Sequence, residues 1–147
     1  MNFDPLFNYI YKGNAEAIAL SYCLLRIAHA WDDLVDKDKE LTNEDINNAF
    51  VDALFTLPNN PLWDFRLNSV LYSVYLRWQE ANVIEADKAS TDNDLAMAWM
   101  LRASLYDLFV IIADKLYGRA WAEYIGVSVR KFYGESLKSY IKEIRHA

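Results

Sequence analysis

Residues 20–36 read LSYCLLRIAHAWDDLVD, and this stretch decides the fold class. Its apolar residues recur at intervals of three and four, the spacing of one face of an α-helix: Leu20, Leu24, Ile27, Trp31 and Leu34. Polar residues follow the same spacing on a second stripe: Arg26, His29, Asp33 and Asp36, with Asp32 beside them. The pattern therefore predicts one long amphipathic helix that ends near residue 36.

Capping residues predict where this helix and its neighbours begin and end. Asn14 follows Gly13 and is placed to cap the long helix. Thr42 and Asp45 resemble a capping box that opens a third helix, which we expect to end before Pro58. Asn60 before Pro61 predicts a fourth helix reaching residues 85–87, and residues 90–91 cap a fifth that ends at 118. The remaining helices are expected at residues 4–13 and from 119 to the C-terminus, where Gly126 and Gly134 are weak points.

The composition agrees with this helical organisation. The chain has 147 residues, of which 54% are hydrophobic and 24% charged, and this balance excludes disorder as the main state. Only four glycines and three prolines are present, which disfavours a loop-rich or all-β fold. We predict an all-α, single-domain helical bundle of about six helices that occupies residues 1–147.

Charge and cysteine content limit the partners and the setting. The formal net charge is −6, and a protein that binds nucleic acid needs a basic face, so we expect no nucleic-acid partner. The most apolar stretch, residues 95–113, contains Arg102 and Asp107, so we expect a buried helix and no membrane span. Cys23 is the only cysteine, which rules out an intrachain disulfide and favours a reducing, cytoplasmic location.

Three carboxylates and an imidazole lie within two turns at the C-terminal end of the long helix. The helix dipole disfavours negative charge there, and carboxylates at this spacing repel one another, so a cation should compensate. Mg²⁺ binds carboxylate oxygens and often shares them with substrate phosphate, which makes it one candidate cation. The alternative is a solvated acidic helix end with Lys37 and Lys39 as its counter-ions.

The acidic stretch also resembles a known family. Asp32-Asp33-Leu34-Val35-Asp36 is a DDxxD motif and is similar to the first Asp-rich motif of class I isoprenoid synthases. Tyr22-Cys23 and Arg26 resemble the aromatic-Cys-Arg segment of the squalene and phytoene type, while His29 and Lys37 resemble basic residues around the motif in trans-prenyl synthases. The resemblance covers residues 17–38.

The resemblance implies a fold, a cofactor and a set of roles. The fold would be an all-α bundle whose acidic helices surround a cavity. Asp32, Asp33 and Asp36 would bind Mg²⁺, and Arg26 and His29 would contact a diphosphate-containing small molecule. If the protein is an enzyme, the resemblance implies a magnesium-dependent transferase or lyase that ionises an allylic isoprenoid diphosphate.

A second acidic pair lies on the predicted fifth helix. Asp107 and Asp114 are seven residues apart and share one face with apolar neighbours. Because an isolated buried carboxylate is costly, it has to be paired or bind a metal. One hypothesis makes Asp107 a fourth metal ligand and Asp114 a substrate contact. The alternative makes Asp107 the partner of Arg26 or Arg102 in a buried ion pair.

A non-enzymatic function is the second hypothesis for the whole chain. Aromatic residues make up 15% of the sequence and suit a core, a cavity or a subunit interface. The last helix is locally basic through Lys131, Lys138, Lys142 and Arg145. A helical module that self-associates, as a homodimer, or that binds another protein fits these features. Such a module should have a filled core, leave its acidic side chains in solvent and expose an aromatic patch.

Overall fold

The computed structural model describes residues 1–37 and 39–147, and the described residues form helices without strands. The predicted all-α class is therefore confirmed. The helices are α1 (Asp4–Ile10), α2 (Ala15–Asp36), α3 (Asn43–Val51), a π-helical segment (Asp52–Thr56), α4 (Leu57–Asn59), α5 (Phe65–Ala86), α6 (Asp92–Arg102), α7 (Tyr106–Tyr117), α8 (Arg119–Lys131) and α9 (Leu137–Arg145).

Side-chain caps begin three helices where the sequence predicts them. The Asn14 side chain accepts a hydrogen bond from the backbone N–H of Ala17 at 3.0 Å and begins α2. Thr42 and Asp45 form a reciprocal capping box at α3, with donor–acceptor distances of 3.0 and 3.1 Å. Thr91 forms the same arrangement at α6. Each cap satisfies backbone donors that the first helical turn would otherwise leave unpaired.

The predicted count of about six helices is too low, because two predicted helices are interrupted. The predicted fifth helix breaks between α6 and α7, where the N–H groups of Ala103 and Ser104 donate to carbonyls three residues earlier and so form tighter turns than those of an α-helix. The two helices differ in direction by 43°. The predicted last helix breaks between α8 and α9, at Gly134, and Ser136 caps the new helix through the N–H of Ser139. Gly126 lies within α8 without a break.

The predicted fourth helix begins later than expected. Asn60 does not cap it: its side-chain oxygen accepts from the N–H of Leu62, and its amide donates to the Glu16 carbonyl. These bonds hold residues 60–64 in a turn, and α5 begins at Phe65. The third predicted helix continues through Pro58, since the π-helical segment and α4 extend the helical path to Asn59.

The described chain divides into two compact units. The N-terminal unit is Phe3–Phe65, and the C-terminal unit is Arg66–Ala147 together with Met1–Asn2. The single domain expected from length stays a prediction. In the N-terminal unit, Phe7 stacks on Phe3 and Tyr11 and meets Tyr22 edge-on. The buried Ser21 hydroxyl donates to the Tyr11 oxygen at 2.7 Å, which joins α1 to α2.

The C-terminal unit has its own apolar cluster. Ala81, Leu95, Ala98 and Tyr140 are buried together, so α5, α6 and α9 share this cluster. At its edge Arg102 donates two hydrogen bonds to Glu85, at 2.9 and 2.6 Å. The Tyr140 hydroxyl donates to the same carboxylate. The ion pair between Arg102 and Glu85 therefore links α6 to α5, and the hydrogen bond from Tyr140 links α9 to both.

Among the residues described, no single helix is long and apolar enough to cross a membrane, although the bent pair α6–α7 meets that length and hydropathy when the two are taken together.

Candidate functional site

An open groove of about 160 Å³ lies between the C-terminal half of α2 and α3 in the N-terminal unit. Its charged lining residues are Arg26, Asp33, Lys39, Asp45 and Asp52. Among the residues that the structure describes, the groove thus combines three carboxylates with two cations. The groove brings together two residues that the sequence proposed for a site, Arg26 and Asp33, with residues that it did not.

Arg26 forms an ion pair with Asp52 inside this groove. Its guanidinium donates to both carboxylate oxygens of Asp52, at 3.0 and 3.1 Å. The hydrogen bonds from Arg26 to Asp52 raise the pKa of the guanidinium further. Close by, the buried Cys23 thiol donates to the Asp52 carbonyl at 3.8 Å, and burial raises its pKa. These contacts fasten the π-helical segment to α2 and neutralise one carboxylate of the groove.

Asp45 lines the groove and is also part of a helix cap. The Asp45 carboxylate accepts the backbone N–H of Thr42, and this hydrogen bond lowers the pKa of the carboxyl group. Asp33 is half-buried on the opposite side of the groove. Because Arg26 already neutralises Asp52, the described residues of the groove that remain charged are Asp33, Asp45 and Lys39.

The other residues of the DDxxD motif lie outside the groove. Asp32 and Asp36 are exposed on α2, and so is His29. Within residues 1–37 and 39–147, no three His, Cys, Asp or Glu side chains are grouped so that they could hold a metal ion. The described residues thus do not form a complete metal site by themselves, and the metal and substrate roles of these residues remain predictions.

Asp107 and Asp114 form ion pairs within the C-terminal unit. Asp107 pairs with Arg77 and with Arg130, the latter at 2.6 Å, and Asp114 pairs with Arg66 at 2.9 Å. Asp107 is therefore in ion pairs, and its role as a metal ligand remains a prediction. The partners predicted for it are wrong, because Arg26 pairs with Asp52 and Arg102 with Glu85. The Asp107 side chain is 24% exposed, so the pair is only partly buried.

The helical stretch beside the groove exposes a set of large apolar side chains. No residue of α3 or of the π-helical segment is buried. Four of their apolar side chains are between 47% and 59% exposed: Phe50, Val51, Leu54 and Phe55. Residues three and four apart are neighbours on a helix, so Phe50 with Leu54 and Val51 with Phe55 form adjoining pairs. We call these four residues the apolar surface.

The end of α2 repeats this combination of exposed apolar and acidic side chains. Trp31 and Leu34 are each 43% exposed and Val35 is 59% exposed, and they alternate with the exposed Asp32 and Asp36. The helix α2 packs against both α3 and the π-helical segment. Two elements in mutual contact therefore both present apolar side chains to solvent. Exposed apolar side chains that form a contiguous patch often mark interaction sites.

The apolar surface belongs to the more acidic unit. The N-terminal unit, residues 3–65, has four Lys or Arg and eleven Asp or Glu, a formal charge of −7. The rest of the chain has eleven Lys or Arg and ten Asp or Glu, a formal charge of +1. The negative charge of the whole protein therefore lies in the unit that also exposes the apolar surface.

Sequence reasoning did not find the apolar surface, although a signal is present. The sequence NNAFVDALFTL, residues 47–57, contains two overlapping apolar pairs at a spacing of four. The same spacing is typical of the buried face of an ordinary helix. Only the packing of α3 and the π-helical segment, which turns Asp45, Ala49 and Asp52 toward the groove, distinguishes an exposed face from a buried one.

Comparisons with known proteins give no relative: no family model, no curated protein and no solved structure matches the chain.

Proposed function

We propose that this protein is a helical interaction module whose apolar surface binds a basic amphipathic helix of a partner protein. The observation that supports this proposal is a helical stretch, residues 43–56, that contains no buried residue yet carries four large exposed apolar side chains. A helix in a folded protein normally owes its stability to an apolar face packed on the core. Here most of that face is directed outward.

Burial of these exposed apolar side chains by a partner would stabilise the complex. Burying apolar area stabilises a complex by about 25 cal/mol per Å² before the costs of association are subtracted. Aromatic side chains contribute strongly because they bury a large area with few rotatable bonds. Phe50 and Phe55, each 59% exposed, are therefore the residues that we expect to anchor the partner. An amphipathic helix laid along a helical surface presents its own side chains at the matching spacing of three and four.

The negative charge of the N-terminal unit indicates which kind of partner helix would bind to the apolar surface. The unit that carries the apolar surface has a formal charge of −7, with Asp33 and Asp45 in the adjoining groove and Asp32 and Asp36 exposed at the α2 end. A partner with lysine or arginine beside its apolar stripe would meet these carboxylates. Complementary charges of this sort raise the association rate and exclude acidic partners, and salt weakens both effects.

The test uses a synthetic probe, an amphipathic helical peptide with leucines on one face and lysines on the other, followed by fluorescence anisotropy. We expect the whole protein to bind it with an affinity that falls as salt rises. Phe50→Ser/Phe55→Ser should weaken binding by about tenfold or more, since removal of anchoring aromatic residues has effects of this size. Tyr72→Ser/Val83→Ser, which changes two exposed apolar residues on α5, is the matched control and should bind normally.

Other results of the peptide experiment would contradict the proposed interaction. Absence of binding, or equal binding by the wild type and Phe50→Ser/Phe55→Ser, would refute the proposal. A second peptide with the same leucines and with glutamate in place of lysine should not bind. Equal binding of that peptide would refute the requirement for a basic partner. Circular dichroism of each variant establishes that the fold is retained.

A second candidate function is binding of a diphosphate together with Mg²⁺, as the DDxxD resemblance implies. The observation in its favour is that Lys39 lines the same groove as Asp33, beside the pair of Arg26 with Asp52. Mg²⁺ commonly uses only one or two protein carboxylates and takes its other ligands from phosphate and water. Its site therefore need not be complete before the diphosphate binds.

Calorimetry with Mg²⁺ and inorganic pyrophosphate tests the second candidate. Uptake that requires Mg²⁺ and is lost in Asp32→Asn/Asp33→Asn/Asp36→Asn would support it, and prenyl diphosphates would then be the next ligands. The same titration with Asp92→Asn, an exposed carboxylate of α6 in the other unit, is the matched control. Absence of heat at millimolar ligand with a folded protein would exclude this function.

A further inference from the structure

The outer face of α8 has the properties of the partner that the apolar surface requires. The inner face of α8 is formed by Ala122, Ile125 and Val129, which are buried. On the opposite side of the helix Tyr124 is 70% exposed and Val127 is 59% exposed. Lys131, which is also exposed, follows one turn later on the same side. This face is an apolar stripe that ends in a basic residue.

The sequence around this stripe is basic. Residues 119–147 contain six Lys or Arg and three Asp or Glu, a formal charge of +3. Lys138 and Lys142 are exposed on α9, where the apolar side chains Leu137, Ile141 and Ile144 pack on the buried cluster. Arg119 pairs with Glu123, Arg130 with Asp107 and Arg145 with Asp92. Lys131, Lys138 and Lys142 are exposed, so the positive charge near the exposed Tyr124 and Val127 comes mainly from these three lysines.

Other exposed apolar residues of the C-terminal unit lack this charge. The helix α5 exposes Tyr72, Leu76 and Val83, but its two arginines are balanced by two glutamates. The helix α6 exposes Met97 and Met100, and its first turn contains two aspartates. Among the exposed apolar faces on α5, α6 and α8, the face of α8 is the one whose flanking charge is opposite to that of the N-terminal unit.

From this complementarity we propose that the partner is a second copy of this chain. The apolar surface of one copy, together with the α2 end, would receive the outer face of α8 of the other copy. This inference rests on the proposed function and names its partner. If each copy gives its α8 and accepts that of the other, the two contacts are equivalent and the assembly closes as a two-fold dimer. Pairing of two N-terminal units would instead bring together two surfaces of like charge.

The first test measures the mass of the full-length protein by sedimentation velocity, from low to high micromolar concentration. We expect a monomer–dimer equilibrium whose dissociation constant rises with salt. Tyr124→Ser/Val127→Ser should raise that constant about tenfold or more, in line with removal of anchoring apolar residues. The matched control Tyr72→Ser/Val83→Ser should leave it unchanged. A monomer at all concentrations would overturn the inference, and so would a dimer that is indifferent to the α8 variant.

Charge reversal identifies the two surfaces that meet. Asp32→Lys/Asp36→Lys and Lys131→Glu/Lys138→Glu should each weaken the dimer, because each brings like charges together. A mixture of the two variants should associate, since the changed surfaces of the two chains are again opposite in charge. Failure of the mixture to associate more strongly than either variant alone would overturn the pairing of α2 with α8.

The peptide experiment separates this inference from the proposed function. If the protein stays monomeric but binds the basic amphipathic peptide through Phe50 and Phe55, the inference of a second copy fails and the interaction module stands. If neither the dimer nor the peptide complex forms, both fail. Circular dichroism and thermal unfolding of each variant establish that a lost dimer is not a lost fold.

Discussion

The two compact units differ in their net charge and in how many of their charged side chains are paired between helices. In the C-terminal unit, arginines pair with carboxylates on other helices, as Arg102 does with Glu85 and Arg77 does with Asp107. The formal charge of this part of the chain is close to zero, at +1. In the N-terminal unit the charge is −7, and the π-helical segment and α3 leave the apolar surface open to solvent.

The difference separates residues that hold the fold from residues that are available to a partner. A carboxylate tied to arginine and tyrosine has satisfied its hydrogen-bonding capacity inside the unit and has little left for a ligand. An exposed phenylalanine adds little to the stability of its own chain and keeps its apolar area for an interface. We therefore expect substitutions of the ion-paired residues in the C-terminal unit to change stability most, and substitutions in the apolar surface of the N-terminal unit to change association most.

The largest effect on stability is expected from Arg102→Ala. This change leaves Glu85 without its cation in a partly buried network and should lower the free energy of unfolding by about 3 kcal/mol. The corresponding change in the N-terminal unit, Arg26→Ala, should cost about 1 kcal/mol, because Arg26 is 54% exposed and water screens its pair with Asp52. Urea denaturation of both variants measures the difference. Equal costs would contradict the contrast between the units.

Removal of Asp107 should cost more than removal of either of its partners. Asp107→Ala leaves Arg77 and Arg130 close together without an anion, whereas Arg77→Ala or Arg130→Ala leaves a complete pair. We expect about 2 kcal/mol for the aspartate and about 1 kcal/mol or less for each arginine. Thermal unfolding at equal salt gives the ranking. If each arginine variant costs as much as the aspartate variant, the two pairs are not redundant.

The capping box of α3 gives the next smaller effect. Thr42→Ala removes the acceptor for the N–H of Asp45 and should cost about 1 kcal/mol. Thr42→Ser keeps a hydroxyl acceptor and is the matched control. Because α3 carries part of the apolar surface, Thr42→Ala should also weaken binding of the basic peptide. Normal stability and normal binding in Thr42→Ala would show that the cap does not support the surface.

The smallest expected effects are the opposite pH responses of two carboxyls. In the C-terminal unit, burial raises the pKa of Glu135, with further contributions from the nearby Glu143 and Glu85 and opposing ones from Tyr133 and Arg102. The folded state therefore favours protonated Glu135, and its contribution to stability is lost as pH rises through that raised pKa. Glu135→Gln should remove this dependence.

Asp45 of the N-terminal unit responds with the opposite sign. Its pKa is lowered by the hydrogen bond from Thr42, so its stabilising contribution is present above the ordinary aspartate pKa and is lost as pH falls through the lowered pKa. A carbon-13 titration of the side-chain carboxyls should place Glu135 above the usual glutamate range and Asp45 below the usual aspartate range. Ordinary values for both groups would contradict the assignment of their surroundings.

Local signals in the sequence predict much of the fold. Asn14, Thr42 and Thr91 each cap a helix where the sequence places it, because a cap depends only on residues within one turn. The break between α6 and α7 was not predicted, since residues 103–105 contain neither glycine nor proline and the apolar spacing continues across them. The late start of α5 was also missed, because Asn60 uses its side chain in a turn.

The candidate site was harder to predict than the helices. Spacing along α2 placed Arg26 and Asp33 on one stripe, and both line the groove. Spacing does not show which helix lies opposite, so the pairs of Arg26 with Asp52 and of Asp107 with Arg77 and Arg130 required the packed structure. The sequence does not predict the exposure of Phe50 and Phe55 either, because a buried and an exposed apolar face of a helix have the same periodicity.

The most direct test of the central claim is to map where the basic amphipathic peptide binds, by nitrogen-15 NMR titration of the full-length protein. The interaction module predicts that shift changes concentrate in α3, the π-helical segment and the C-terminal turns of α2, and that they disappear in Phe50→Ser/Phe55→Ser. Changes confined to the C-terminal unit, or an unchanged spectrum at saturating peptide, would contradict it.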